Sequence, residues 1–64
     1  MAQINGETIS INNVSIYDYL EKEGYQLEKV VVEKNLEIIP RDQWKSNMIQ
    51  DEDTIEVLSF VGGG

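Results

Sequence analysis

The sequence contains no cysteine and no histidine. Disulfides, thiolate nucleophiles, imidazole bases and the usual zinc ligand sets are therefore excluded. The lack of cysteine fits a reducing, cytoplasmic setting. Basic residues are scarce: five lysines and arginines stand against twelve aspartates and glutamates, a net charge of −7. A nucleic-acid binder needs a basic face, so that class is disfavoured. No apolar run approaches the roughly 20 residues of a membrane span. Met1-Ala2-Gln3-Ile4 lacks the basic start and apolar stretch of a signal peptide. The 64 residues make one small domain. A chain of this size buries only about 60% of its unfolded surface, which leaves no room for a deep substrate pocket. The acidic balance keeps such a domain soluble and favours fast association with basic partner surfaces.

What is present reads in order as β-β-α-β-β-β. Asn5-Gly6 signals a two-residue type I′ hairpin, because both central residues of that turn need positive φ. The turn pairs Ile4 with Glu7 and Ala2 with Ile9, and places Ala2, Ile4, Ile9 and Ile11 on one core face. Asn12-Asn13 is a loop. Ser15 is the N-cap of a helix over Ile16 to Glu23, with Asp18 three residues on as an approximate capping box. Ile16, Tyr19, Leu20 and Glu23 follow helical spacing, and Gly24 terminates the helix in the left-handed region. Tyr25 to Glu28 connects to a β-branched inner strand, Val30 to Glu33. Lys34-Asn35-Leu36 is a tight turn, and Glu37 to Ile39 a short strand stopped by Pro40. Arg41 to Asn47 forms one helical turn with Trp44 as its anchor, followed by a short apolar contact at Met48 and Ile49. Asp51-Glu52-Asp53 is a polar turn into a last strand, Thr54 to Phe60.

The body offers little chemistry. The acids at positions 51–53 lack the ligand spacing and central glycine of a calcium-binding loop, and no glycine-rich phosphate cradle is present. The reading is a non-enzyme whose chemistry sits at its end, Phe60-Val61-Gly62-Gly63-Gly64. Three terminal glycines have a chance frequency of about 0.03% at average composition. Without Cβ atoms such a tail is thin enough to enter a narrow channel, and Val61 to Gly64 reach at most roughly 14 Å. Taken alone, the tail reads equally well as a frayed terminus or a cloning remnant. Along the last strand Ile55 and Val57 face the core, and Leu58 and Phe60 fall on the opposite face with Glu56. If that face is open, Leu58 and Phe60, with Val61 beside them, mark a partner-docking surface; if the strand twists or bulges near its end, Phe60 covers the core instead.

The element order and the free glycine end resemble the ubiquitin-like β-grasp fold. Val30-Val31-Val32-Glu33-Lys34-Asn35-Leu36-Glu37-Ile38-Ile39-Pro40-Arg41 followed by Trp44 looks like the thiamine-biosynthesis sulfur-carrier family, ThiS. So do Asp51-Glu52-Asp53-Thr54-Ile55-Glu56-Val57 and Phe60-Val61-Gly62-Gly63-Gly64. The resemblance spans essentially the whole chain. It departs at Glu52, where the family often has glycine.

This resemblance implies an α+β fold, with a mixed four- to five-stranded sheet packed on one helix. Residues 1–61 would form the β-grasp domain and 62–64 a flexible glycine tail. It implies a co-substrate with no bound cofactor. A ThiF-like adenylyltransferase would use ATP to activate the carboxylate of Gly64, with Gly62 and Gly63 as the slender approach. Sulfur from a cysteine-desulfurase relay would replace AMP, and the resulting thiocarboxylate would supply a ThiG-like thiazole synthase. Two rival readings share the fold. The small subunit of molybdopterin synthase usually has prolines before its terminal Gly-Gly, which are absent here. A ubiquitin-like protein modifier would link Gly64 to a lysine of its target.

Overall fold

A computed structural model describes residues 1–60. Strands β1 (Ala2–Ile4) and β2 (Glu7–Ile9) pair antiparallel, with Ile4 opposite Glu7 and Ala2 opposite Ile9. Asn5 and Gly6 between them take φ of 52° and 82°, the conformation that the type I′ turn requires. The strands end at Ile9, so Ile11 packs against the core from a loop.

Helix α1 (Ile16–Glu23) follows directly on a two-residue strand, β3 (Val14–Ser15). Ser15 caps it, its Oγ accepting from the Asp18 amide at 3.0 Å. Gly24 ends it at φ 81°. The amides of Gly24 and Tyr25 donate back to the carbonyls of Glu21 and Leu20, which completes a Schellman cap. Ile16, Tyr19 and Leu20 are buried, while Glu23 at the end of the same spacing stays exposed. A carboxylate at the last turn has water within reach and no reason to desolvate.

The remaining strands are β4 (Val30–Lys34), β5 (Glu37–Ile38), β6 (Met48–Ile49) and β7 (Thr54–Ser59). The main sheet has the order β2-β1-β7-β4-β5, mixed because β1 and β7 run parallel while β4 is antiparallel to both its neighbours. One helix packed on this five-stranded sheet is the β-grasp arrangement that the resemblance implied. The linear order gains two short strands, β3 before the helix and β6 before the last strand. Met48–Ile49 is a strand, pairing antiparallel with Val14–Ser15 in a separate two-stranded ribbon. Two residues are too few for a period-2 pattern to register. The connection before β4 also tightens into a 3₁₀ turn at Leu27–Lys29.

The core lies between the helix and one face of the sheet. Ala2, Ile4, Leu20, Val30, Val32, Ile49, Ile55 and Val57 are buried there, and Trp44 closes one side. Trp44 is held by a hydrogen bond from its indole Nε1 to the Ile39 carbonyl at 3.1 Å. Leu20 is fully buried. Replacing it with alanine removes apolar contact on every side and should cost about 2–5 kcal/mol. Urea unfolding of Leu20→Ala against the parent checks this; an unchanged midpoint would mean that the helix presents another face to the sheet.

Candidate functional site

The last strand determines where the chain end emerges. β7 starts between β1 and β4: Thr54 and Ile55 pair with Gln3 and Ile4 on one side, and Ile55 to Ser59 pair with β4 on the other. β1 stops at Ile4, and Asn5 takes over. Its amide donates to the Ile55 carbonyl at 2.9 Å, and its Oδ1 accepts from the Val57 amide at 2.7 Å. The hairpin turn therefore extends the ladder by one side chain. On the β4 side the pairing continues to Phe60, whose amide donates to the Lys29 carbonyl at 3.0 Å. The strand is held up to the residue before Val61. Val61, Gly62, Gly63 and Gly64 lie outside the described residues.

A polar cluster clamps the other end of β7. The Asn35 side chain donates to Asp53 Oδ1 at 2.9 Å and accepts from the Thr54 amide at 2.9 Å. The Gln50 amide donates to Asp53 Oδ2 at 2.8 Å, and Lys34 Nζ stands 3.6 Å from the same oxygen. Lys34 also donates to Asn47 Oδ1 and to the Met48 carbonyl. Asp53, read from sequence as part of a solvated turn, is thus the hub that joins the β4–β5 turn to the start of β7. Glu52, at the position where the resemblance expects glycine, sits at φ 70°. The left-handed turn is kept despite its side chain.

Leu58 and Phe60 are both half exposed, at 54% and 49%. They line different depressions. Phe60 borders a shallow groove of about 250 Å³ with Gly24, Tyr25, Gln26, Lys29, Val30 and Ser59, at the helix C-terminus. Leu58 borders a larger groove of about 780 Å³ on the sheet face away from the helix, with Glu33, Asn35, Leu36, Thr54 and Glu56. Sequence reasoning did not assign Glu33 or Leu36 to any surface. The signal was there: a leucine beside Asn35 in a two-residue turn has no buried position available to it.

The comparisons with known proteins agree on one family. The ThiS family profile matches residues 2–64. The sulfur carrier protein ThiS of Bacillus subtilis is 40% identical over 68 aligned positions, covering the whole of both chains. A thiazole synthase of Paramagnetospirillum magneticum is 36% identical over 62 residues; the match takes in 95% of this chain but only 19% of that longer protein. Among solved structures, the crystal structure of a thiamine biosynthesis protein (ThiS) from Geobacter metallireducens superposes with a TM-score of 0.79 at 30% identity. It covers 98% of this chain and 97% of that one.

The Asp53 cluster generates a pH dependence. Burial pushes the carboxyl up, but hydrogen bonds from Asn35 and the Gln50 amide, with the Lys34 charge, outweigh it and hold the value below the ordinary 3.8. A folded value below the unfolded one contributes stability that is fully present above the ordinary carboxylate range. It is lost as pH falls through the folded value. Asp53→Asn should be less stable than the parent near neutral pH and should lose less on acidification. Urea midpoints at about pH 7 and about pH 3 would compare the two.

Proposed function

The chain belongs to the ThiS family, and on that premise we propose that it serves as a sulfur carrier in thiamine biosynthesis, a co-substrate whose reacting group is the carboxylate of Gly64. The observation that carries this reading is the conjunction of a full-length match to a named sulfur carrier with a Gly62-Gly63-Gly64 ending. A carboxylate is a poor electrophile. Attack of a Gly64 carboxylate oxygen on the α-phosphorus of ATP, in a partner adenylyltransferase, would release pyrophosphate and leave an acyl-adenylate. A persulfide of a cysteine-desulfurase relay would then displace AMP to give an acyl disulfide, and a reducing thiol supplied by the partners would cleave its S–S bond, leaving the thiocarboxylate on Gly64 and a disulfide on the partner side. The division of labour suits the sequence. No cysteine or histidine is available for nucleophilic or general-base work, so the catalysis belongs to the partners.

Thiazole synthase is the recipient in this reading. A thiazole synthase that contains a stretch similar to nearly all of this chain supports that assignment. The tail's role is steric. A Cβ at Gly63 would widen the backbone where a partner's channel must enclose it closely. Phe60, half exposed at the last described position, is the anchor that seats the domain while the tail enters, since aromatic side chains often dominate interfaces.

Two outcomes test the proposal. Gly63→Val and deletion of Gly64 should each abolish conversion of the terminus by the adenylating enzyme, ATP and a sulfur source, with the circular dichroism spectrum unchanged. Deletion leaves the carboxylate roughly 3.5 Å short of the reacting position. Intact-protein mass spectrometry, reading the exchange of one oxygen for sulfur, is the measurement, and conversion of the deletion variant at the parent rate would sink the carrier reading. Phe60→Ala should weaken binding to the adenylating partner by about tenfold or more while the thermal midpoint stays near that of the parent; unfolding of the variant would make Phe60 a core residue instead.

A further inference from the structure

The outer face of the sheet carries four departures from what a solvated surface prefers: a pair of facing glutamates and three exposed apolar side chains. Glu33 and Glu56 stand directly opposite each other on β4 and β7, both half-buried. Like charges in that position repel across roughly 5 Å. Among the described residues neither has a salt-bridge partner. Leu36 is 88% exposed and sits at φ 72°, a conformation that bulky residues avoid. Ile38, opposite Glu33 on the edge strand, is 59% exposed. Leu58 completes the patch, beside Val31 in register. Glu33, Glu56, Leu36 and Leu58 line one open groove of about 780 Å³, with Asn35 and Thr54 at its end. The helix covers the other face, and among the described residues nothing covers this one.

We infer that this groove is the seat for an arginine or lysine of the adenylating partner, flanked there by apolar side chains. The inference rests on the carrier reading and specifies the chemistry of its docking surface. Two half-desolvated carboxylates with no cation of their own complement one guanidinium or ammonium group. A docked cation would also neutralise the repulsion that the free domain carries. Leu36, Ile38 and Leu58 rim the carboxylates and would exclude water around the pair, which strengthens it. Leu58 follows the core residue Val57 and stands two positions before Phe60, the last described residue. The net charge of −7 adds long-range attraction to a basic surface.

The inference separates binding from stability in opposite directions. The double variant Glu33→Gln, Glu56→Gln removes the repulsion and should raise the thermal midpoint, while weakening binding to the adenylating enzyme by about tenfold or more and flattening its salt dependence. Leu36→Asn suits the left-handed turn, so it should fold at least as well as the parent and also bind more weakly. Calorimetric titrations at two salt concentrations, alongside the thiocarboxylate assay on the same samples, read both. Parent-like binding by the variants, with the parent converted normally, overturns the groove and leaves the carrier standing. If the parent neither binds nor is converted, both readings fall. A dimer of the parent in sedimentation equilibrium that Leu36→Asn dissolves would assign the face to a second copy and overturn the inference as well.

Discussion

The central place of β7 in the sheet is the constraint on which the rest depends. A strand with neighbours on both sides has its backbone groups satisfied by the ladder. Here the neighbours are the first strand of the chain, in parallel, and the longest remaining one, antiparallel. Parallel pairing with β1 requires a long crossover, and the chain spends everything from Gly6 to Asp53 on it, including the helix that covers the core. The last strand therefore closes the fold. Its outgoing end is held to β4 as far as Phe60.

The polar residues around β7 serve that placement. Asn5 lengthens a three-residue strand by supplying a side-chain acceptor where the backbone of β1 has already turned away. Asp53, Asn35 and Lys34 tie the entry of β7 to the β4–β5 turn, so that the strand enters between neighbours already locked to each other. A 64-residue domain without disulfides has little core to spend. Satisfied polar clamps at both ends of the closing strand add to what the core provides.

The outer sheet face breaks the pattern. Apart from Glu52 at positive φ, the rest of the chain's turns and caps are locally consistent: asparagine and glycine occupy the hairpin turn, serine the N-cap, and glycine the helix C-terminus. Leu36 at positive φ and two glutamates in register are local costs with no compensating contact among the described residues. Real proteins concentrate such conflicts at sites that meet something else.

Much of the fold was legible in the residues. Asn5-Gly6 specified a turn, the turn specified the register, and the register put Ala2 and Ile4 on the core face. Serine and glycine bracketed the helix at the observed ends. Gly62-Gly63-Gly64 raised the expectation of chemistry at the chain end, and those residues lie outside the described ones. These are local properties, set by backbone sterics and by periods of two and 3.6 residues. Three things were decided only by tertiary structure. The ribbon of Val14–Ser15 with Met48–Ile49 joins segments too short to carry a pattern. Asp53 became a hub because the turns bearing Lys34, Asn35 and Gln50 fold around it, and sequence separation hides such meetings. Glu33 and Glu56 lie 23 positions apart in the chain and face each other only because β4 and β7 pair in one particular register. A groove is a property of that register, and strand pairing is decided by the whole core at once.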